Sequence, residues 1–564
     1  MSGRRPALAA GLLVLLAGLA FLPAVSNGPI EDDLPLLRLR LAGVHSLADL
    51  PPLFGQSYWG DLFAGGLWRP LTLVTLGLER LAFGERLWVY RVVSLLLHAV
   101  ATLGVWRLAA RLFAGAGTGD TAGRDGRAWL AAAAFAAHPI HAEAVATVYG
   151  QADLWAAVLA IAAICLASRP SSDGRQSAWR TGAIAAMFFF SLGFKESAVA
   201  LPLAVWWLQT VPGRRRPSGA VWAMLAALAV YLPMRWLVLH GEWVPGVTAG
   251  GEGVGGRFVA IIVALATDLR LMLLPWKQTI YYGHLRERLL AGGTIEFFAL
   301  LATAIVAQRI ARPPDAAGRA TRGGLVLLGV FLLPIAQFVP IGMLAAERTL
   351  YLPSVGLCLI LAGLLPKVRE WRGPLQAGVV AVLLLEIGLC WRVAGRWRDE
   401  RTAWETTLAD HPRSARTIAE VVRLRLDEPA IAGDKAARAT LHRMLDDADR
   451  ITPASYSVAV ARAKLAIADG DGAAAGAFAA EAERLRQGPA VRPDRPDGSV
   501  SPGRPVGSAA CSALSLRPGP VKRSTPPPST ASSASKSPAP TPRPQAWPEL
   551  PSSGTGQKRR RMAT

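Results

Sequence analysis

Charged residues and cysteines are both scarce in this 564-residue sequence. Only 18% of the residues are charged, whereas 52% are hydrophobic, and apolar runs long enough to span a membrane recur from residue 7 to about residue 391. This composition excludes a soluble enzyme and a disordered chain. The four cysteines are too few for a disulfide framework, which excludes a secreted disulfide scaffold. The sequence therefore predicts a polytopic membrane protein with a soluble C-terminal part.

Acidic residues are also few, with 40 Asp plus Glu against 61 Lys plus Arg. A net charge of +21 can indicate nucleic-acid binding. Here, however, the segment 488–564 alone holds twelve Lys and Arg against three Asp and Glu, and most other cations lie in short loops between apolar runs. Zinc-ligand patterns, stacking aromatics and nucleotide-binding glycine loops are lacking. We therefore expect no nucleic-acid partner.

Eleven apolar runs predict transmembrane helices. The first follows Arg4 and Arg5 and could instead be a cleaved signal peptide ending near Ala24-Val25-Ser26; we interpret it as an uncleaved span. The runs are 7–25, 88–113, 128–147, 152–168, 180–194, 197–212, 219–239, 293–309, 323–340, 349–366 and 374–391.

A further run, 257–275, is ambiguous because Asp268 and Arg270 lie within it. If this run does not cross the membrane, the basic loops 310–322 and 367–373 face the cytoplasm, as the positive-inside rule requires. We therefore predict a peripheral or re-entrant helix here. The N-terminus is then cytoplasmic and the region after the last span is external, in what we expect to be a bacterial inner membrane with a periplasmic C-terminal region.

Polar residues gather on the predicted external side. The loop 26–87 is longer than a connector needs to be and begins with Glu31, Asp32 and Asp33. These acids could equally form a solvated cluster at a helix start. The histidines His138 and His141 with Glu143 match no strong zinc signature, so we expect packing between helices rather than metal ligation.

Charges at the ends of the predicted spans suggest an anion site. Lys195 and Glu196 separate two apolar runs and either neutralise each other or meet a ligand. The cations Lys195, Arg235, Arg270 and Arg348 would suit a phosphate. The alternative to a phosphate site is a row of snorkelling side chains that contact ordinary lipid.

Six short motifs, in order along residues 30–355, resemble the transmembrane and tetratricopeptide-repeat O-mannosyltransferases and their bacterial relatives. Each motif is weak alone, but the ordered set is fairly specific. The motifs are Ser57-Tyr58-Trp59-Gly60, Trp68-Arg69-Pro70-Leu71, Leu95-Leu96-Leu97-His98-Ala99, His138-Pro139-Ile140-His141-Ala142-Glu143-Ala144-Val145, Phe194-Lys195-Glu196-Ser197-Ala198 and Glu347-Arg348-Thr349-Leu350-Tyr351-Leu352-Pro353-Ser354.

The resemblance implies a GT-C fold and a polyprenyl-phosphate-linked sugar as donor. It implies a general base at Asp32 or Asp33, of which we favour Asp32, and a donor-phosphate contact at Lys195. Gln151 stands before Ala152-Asp153 where relatives usually carry arginine, which predicts the loss of one phosphate contact. The remaining candidate supporting residues are Arg69, His138, His141, Glu143, Asp153, Glu196 and Glu347.

The chain after the last span divides into two parts. Residues 397–487 have helical periodicity, with helix starts at 411–415 and 452–456, and predict one to three degenerate tetratricopeptide repeats that could dock an acceptor protein. A small helical bundle without a specific role is the alternative. Residues 488–564 form a Pro/Ser-rich basic tail that we expect to be disordered.

The sequence thus predicts an all-α GT-C-like membrane domain over 1–396, with about eleven transmembrane helices. Its predicted activity is transfer of a sugar, such as mannose, from a polyprenyl phosphate to an external hydroxyl. A divalent cation stays open, since Asp32 and Asp33 alone supply too few ligands. Two alternatives are a lipid-sugar flippase, for which ionisable residues within the spans are too few, and a membrane-anchored tetratricopeptide scaffold, which leaves the long external loop unexplained.

Overall fold

A computed structural model describes residues 4–60, 66–114, 121–169, 177–210, 217–240, 254–283, 316–339, 343–365 and 373–487. Within these ranges every regular element is a helix and there is no strand. The predicted all-α membrane architecture is therefore confirmed. The predicted span 293–309 and the predicted disordered tail 488–564 lie outside the described residues.

Six described helices are long and apolar enough to cross a bilayer, and each coincides with a predicted run. In lipid, the backbone polar groups of a segment must bond to one another, which favours a helix. Apolar side chains on all sides of that helix suit the lipid around it. The total of eleven spans stays a prediction. The six helices are Pro6–Ser26, Leu87–Leu112, Gly219–Val238, Gly318–Ile335, Glu347–Leu364 and Gly373–Arg396.

The prediction of one continuous helix over 128–147 is wrong. Helix Thr121–Ala136 ends just before Pro139, whose ring cannot continue a helix. Two helices follow, Ala142–Ala146, which a 3₁₀ turn at Pro139–His141 precedes, and Gln151–Ala167. The axes of the segments Pro139–Ala146 and Gln151–Ala167 differ by 115°. Gly150 stands at this break, where a Cβ atom would lie only 2.3 Å from the Ala144 carbonyl oxygen. The region is a broken span or a re-entrant loop.

Three more described helices follow this break along the chain. They are Ala178–Phe194, Leu201–Thr210, which follows a 3₁₀ turn at Glu196–Ala200, and Val254–Leu273. Helix Val254–Leu273 contains three charged residues and is therefore not among the six helices suited to spanning. This fits the predicted peripheral or re-entrant role.

Small residues allow close approach between two of the spanning helices. Helices Ala316–Leu332 and Tyr351–Leu364 meet at Gly324 and Gly356, where each glycine faces the backbone of the other helix. A Cβ atom at Gly356 would lie 2.4 Å from the Gly324 carbonyl oxygen. Such pairs of small residues are typical of packing in membranes, where van der Waals contact replaces the hydrophobic effect.

The segment 26–87, which the sequence predicts to be external and which is called the external loop below, has its own core. A π-helical turn at Pro35–Arg40, 3₁₀ turns at Leu47–Asp49 and Pro51–Gly55, and helix Pro70–Phe83 enclose buried apolar side chains. The loop is therefore a folded element that can hold a side chain in place. Its buried residues include Leu36, Leu37, Leu41, Leu53, Tyr58, Leu73 and Leu76.

Between the last span and residue 487, the structure describes six helices. Two of them begin at Ala415 and Tyr456, where the sequence predicts helix starts, and their buried faces share one core. The assignment as tetratricopeptide repeats stays a prediction. The helices are Glu400–Asp410, Ala415–Arg425, Pro429–Gly433, Lys435–Ile451, Tyr456–Asp469 and Gly472–Gln487.

Candidate active site

A cavity of about 470 Å³ lies where the external loop, the broken span and the ends of several helices meet. One group of its lining residues is charged or aromatic, and the other is apolar. The charged side chains are Asp32, Arg69, Lys195, Glu196, Arg235 and Arg348. The apolar group includes Leu192, Val199, Leu228, Leu232, Pro334, Ile335, Val339 and Met343.

Asp32 is the acid of the external loop that reaches this cavity. Among the described residues, no donor forms a hydrogen bond with its carboxylate. Burial raises the pKa of the Asp32 carboxyl above its usual value, and the opposing effect of Arg348 does not cancel that rise. A carboxylate without a partner and with a raised pKa is suited to accept a proton.

Asp33 has a different environment from its neighbour. Its side chain is fully buried and pairs with Arg91 at 2.7 Å. It also accepts hydrogen bonds from the backbone N–H groups of Ile30 and Val148, at 3.2 and 2.7 Å. The Arg91 and Val148 contacts fasten the external loop to helix Leu87–Leu112 and to the broken span. Asp33 does not line the cavity, so of the two candidate bases Asp32 is the one that the geometry favours.

Lys195 and Glu196 do not neutralise each other, which corrects one alternative drawn from the sequence. Lys195 donates to Asp153 at 2.5 Å, whereas Glu196 accepts two hydrogen bonds from Arg69, at 2.9 and 2.5 Å. The two pairs join the end of helix Ala178–Phe194 to the broken span and to the external loop. They hold Lys195 at the cavity wall with its charge balanced.

Arg348 is the third fixed cation of the cavity. Its guanidinium pairs with Glu143, its backbone N–H donates to the same carboxylate at 2.9 Å, and it lies 4.9 Å from the centre of the Tyr149 ring. The adjacent Glu347 is buried and contacts Tyr282 and the backbone N–H of Thr279 instead. Glu347 therefore supports the fold beside the cavity rather than lining it.

Arg235 and Arg270, the other two cations predicted to bind phosphate, differ in their position relative to the cavity. Arg235 lines the cavity and donates to the Gly66 carbonyl oxygen. Arg270 is not among the described residues that line the cavity. Its role in a donor-phosphate site therefore stays a prediction.

The histidines form part of a buried aromatic cluster. His141 contacts Ser354 at 2.8 Å and packs against Phe135 and Tyr351, and His138 accepts a hydrogen bond from the Ile140 N–H. Within the described ranges, no group of three His, Cys, Asp or Glu side chains could hold a metal ion. The geometry favours the packing role over metal ligation.

Gln151, which stands where relatives usually carry arginine, packs inside the fold. Its side chain is fully buried and donates to Glu79 at 2.9 Å and to the Tyr90 carbonyl oxygen at 3.1 Å. It is not among the described residues that line the cavity. The loss of one phosphate contact stays a prediction, since it concerns the arginine that this chain does not carry.

Several contributing residues were not singled out from the sequence. Tyr149 lines the cavity beneath Arg348, and Arg91 and Glu79 hold the external loop against the bundle. Tyr58 lines the wall near Arg69, which lies 5.2 Å from its ring centre. Tyr58 falls within a quoted motif, so a signal for it was present. Arg91 carries no such signal, apart from being a charge inside an apolar run.

These features define an α-helical membrane protein with a charged cavity bordered by an apolar wall. The chain is 24% identical over 455 residues to the protein O-mannosyl-transferase TMTC4 of Mus musculus, which covers 70% of this chain and 59% of that protein. It is 24% identical over 432 residues to the Homo sapiens TMTC4 protein, covering 65% and 57%. A 148-residue part is 37% identical to the Drosophila melanogaster protein O-mannosyl-transferase Tmtc2, covering 25% of this chain and 15% of that protein.

The predicted resemblance to protein O-mannosyltransferases is therefore confirmed. No family model and no solved structure matches the chain. The matched region spans less than three fifths of the length of the TMTC4 proteins.

Proposed function

We propose that the protein is a glycosyltransferase that moves a sugar from a polyprenyl phosphate to a hydroxyl group of an acceptor protein. The observation that carries this proposal is the composition of one cavity wall. Asp32, without a partner among the described residues, shares the cavity with Lys195 and Arg348. A base and anion-binding groups are the two requirements of transfer from a phosphate-linked donor.

The cations of the cavity wall suit an anionic donor. Four cations line the cavity together with two carboxylates, and Lys195 and Arg348, although paired with Asp153 and Glu143, keep further N–H groups that can donate to a ligand. A sugar phosphodiester of a polyprenol carries one negative charge, and charge-assisted hydrogen bonds from Lys195 and Arg348 would bind it. Asp153 and Glu143 fix these two cations before the donor arrives, so little reorganisation is needed.

The apolar wall suits the lipid part of the donor. Leu228 and Leu232 of helix Gly219–Val238 line it together with Val199 and Ile335. Other side chains of that helix, such as Trp222 and Leu237, are exposed and would face lipid. A prenyl chain placed along this wall would therefore lie close to the bilayer while its phosphate meets the cations.

The chemistry follows a single displacement. The acceptor oxygen attacks the anomeric carbon while its proton passes to Asp32. The bond between that carbon and the phosphate oxygen breaks, and the oxygen keeps the electron pair. Lys195 and Arg348 stabilise the negative charge that develops on the departing phosphate. A single displacement of this kind inverts the configuration of the anomeric carbon.

The test is sugar transfer by the purified full-length chain in lipid nanodiscs. Labelled polyprenyl-phosphate mannose is supplied with a Ser/Thr-rich peptide, and labelled glycopeptide is measured. Parallel reactions with polyprenyl-phosphate glucose and galactose identify the sugar. We expect glycopeptide with one of these donors. If the folded wild-type protein released label from none of these donors, the proposal would be disproved.

A further inference from the structure

The segment that carries Asp32 is held by the end of the last span and the residues that follow it. The Asn27 side chain donates to the carbonyl oxygens of Ala394 and Trp397, at 3.0 and 2.7 Å, and the Gly28 N–H donates to the Arg398 carbonyl oxygen at 2.6 Å. A Cβ atom at Gly28 would lie 3.3 Å from that oxygen. The beginning of the external loop is thus fixed to the end of helix Gly373–Arg396.

Arg416 provides a second contact, from helix Ala415–Arg425. Its guanidinium lies 3.4 Å from the Glu31 carboxylate. It also stacks 4.9 Å from the ring centre of Tyr281 and 5.6 Å from that of Trp404. Two aromatic rings and a carboxylate therefore fix a long, flexible side chain in one orientation.

Glu31 adopts a backbone conformation that needs support. Its φ angle is +41°, in the left-handed region that residues other than glycine rarely occupy. This turn lies between the Asn27 contacts and the buried Asp33, and it directs Asp32 toward the cavity. Such conformations persist only where surrounding contacts determine them. The Arg416 contact is one of these.

We propose that Arg416 is a positioning residue, which holds the Glu31 turn and thereby the Asp32 carboxylate, so that the C-terminal helical region completes the active site. The effect on catalysis rests on the proposed function. The positioning itself does not, since it concerns the order of the loop. Arg416 touches no reacting atom in this arrangement, because it acts through Glu31.

Arg416 also influences the charge of both acids. Burial raises the pKa of the two carboxyls, to about 8 for Glu31, and the Arg416 guanidinium opposes that rise. The other groups that face Asp32 are Arg348, Asp33 and Arg69, and those that face Glu31 are Asp32, Arg348 and Glu143. A general base acts as its carboxylate, so transfer increases as the pH rises through the pKa of Asp32. This rise is the acid limb of the pH profile. Loss of the Arg416 charge moves the acid limb to higher pH.

The experiment compares Arg416→Gln and Arg416→Lys with Arg423→Gln. Arg423 lies on the same helix but pairs with Glu420 and Glu400, within the C-terminal region. Two properties are measured on full-length protein in nanodiscs: amide hydrogen exchange of the segment 27–38, and the pH profile of sugar transfer. A fluorescence melting curve confirms that each variant is folded.

We expect Arg416→Gln to accelerate exchange of the segment several-fold and to reduce transfer at neutral pH about tenfold, with the acid limb displaced to higher pH. Arg416→Lys keeps the charge and the wild-type limb, and Arg423→Gln matches wild type in both measurements. Unchanged exchange in Arg416→Gln would overturn the positioning role even if no sugar were transferred. A uniform loss of rate without displacement of the limb would overturn the effect on Asp32.

Discussion

Two adjacent aspartates in this protein have opposite surroundings. Asp33 is enclosed by Arg91 and backbone N–H groups, whereas Asp32 faces a cavity without a hydrogen-bond partner among the described residues. A carboxylate whose bonds are satisfied stabilises the fold, and one whose bonds are not is available for chemistry. Substitution of the same type at the two positions therefore has different consequences.

Replacement of Asp32 by asparagine removes the proposed base but no contact that supports the fold. We expect the rate of sugar transfer to fall by about 10²–10⁴, the usual contribution of a general base. The measurement is initial rates of glycopeptide formation in nanodiscs. Glu85→Gln, which alters an exposed acid of the same loop paired with Arg38, serves as the control and keeps the wild-type rate. Equal rates for Asp32→Asn and wild type would remove Asp32 from the mechanism.

Replacement of Asp33 by asparagine leaves Arg91 charged and buried without its partner. Breaking such a pair costs about 3–5 kcal/mol, because the remaining charge is still desolvated. We expect a marked decrease in the midpoint of thermal unfolding in detergent. Asp32→Asn is the matched control, and its midpoint stays at or above that of wild type. A variant Asp33→Asn as stable as the control would show that the Arg91 pair does not anchor the loop.

At the scale of elements, the break between Ala142–Ala146 and Gln151–Ala167 organises the site. It presents Glu143, the Val148 N–H, Tyr149 and Asp153 to three partners, Arg348, Asp33 and Lys195, within one short stretch. A continuous helix would place these groups around its circumference, so they could not all meet partners at and beside the cavity wall. The bend therefore creates the geometry that the charged wall requires.

Gly150→Ala tests this bend. The added methyl group would overlap the Ala144 carbonyl oxygen, and overpacking of this kind costs about 1–3 kcal/mol. We expect a lower unfolding midpoint together with reduced sugar transfer, since Val148 and Tyr149 must move. Gly388→Ala is the control, because nothing lies within 4 Å of a Cβ atom there and alanine favours the helix. Wild-type stability and activity in Gly150→Ala would mean that the bend tolerates a side chain.

At the scale of the whole molecule, we predict that the external loop and the C-terminal helices lie on the same side of the membrane. The contacts of Asn27, Gly28 and Glu31 with the region 394–416 require it. Introduced cysteines measure this arrangement in intact cells, with a maleimide that does not cross membranes. The native cysteines Cys165, Cys358 and Cys390 are buried, and Cys511 is first replaced by serine.

We expect Leu47→Cys and Arg450→Cys, both at exposed positions, to react in intact cells. Ser177→Cys, in a loop predicted to be cytoplasmic, should react only after the cells are opened. Labelling of Leu47→Cys and Arg450→Cys from opposite sides would contradict the contacts between the two regions. Labelling of all three from outside would contradict the predicted orientation.

Sequence alone determined the helical membrane class and several helix positions, such as Leu87–Leu112, because lipid imposes a length and an apolarity that a run of residues shows directly. It could not find the break at 137–150, since hydropathy averaged over a run is insensitive to one proline and one glycine. The family resemblance and the charges at span ends brought out Asp32, Lys195 and Arg348, but also Asp33 and Arg270, which are not among the described residues that line the cavity.

The tertiary structure decided which charges meet. Lys195 pairs with Asp153, 42 residues away, and Glu31 with Arg416, 385 residues away. No local pattern encodes such pairs, because a side chain's partner depends on how separate helices pack rather than on its neighbours along the chain. For that reason the class of the protein follows from its sequence, whereas the different surroundings of Asp32 and Asp33 follow from its fold.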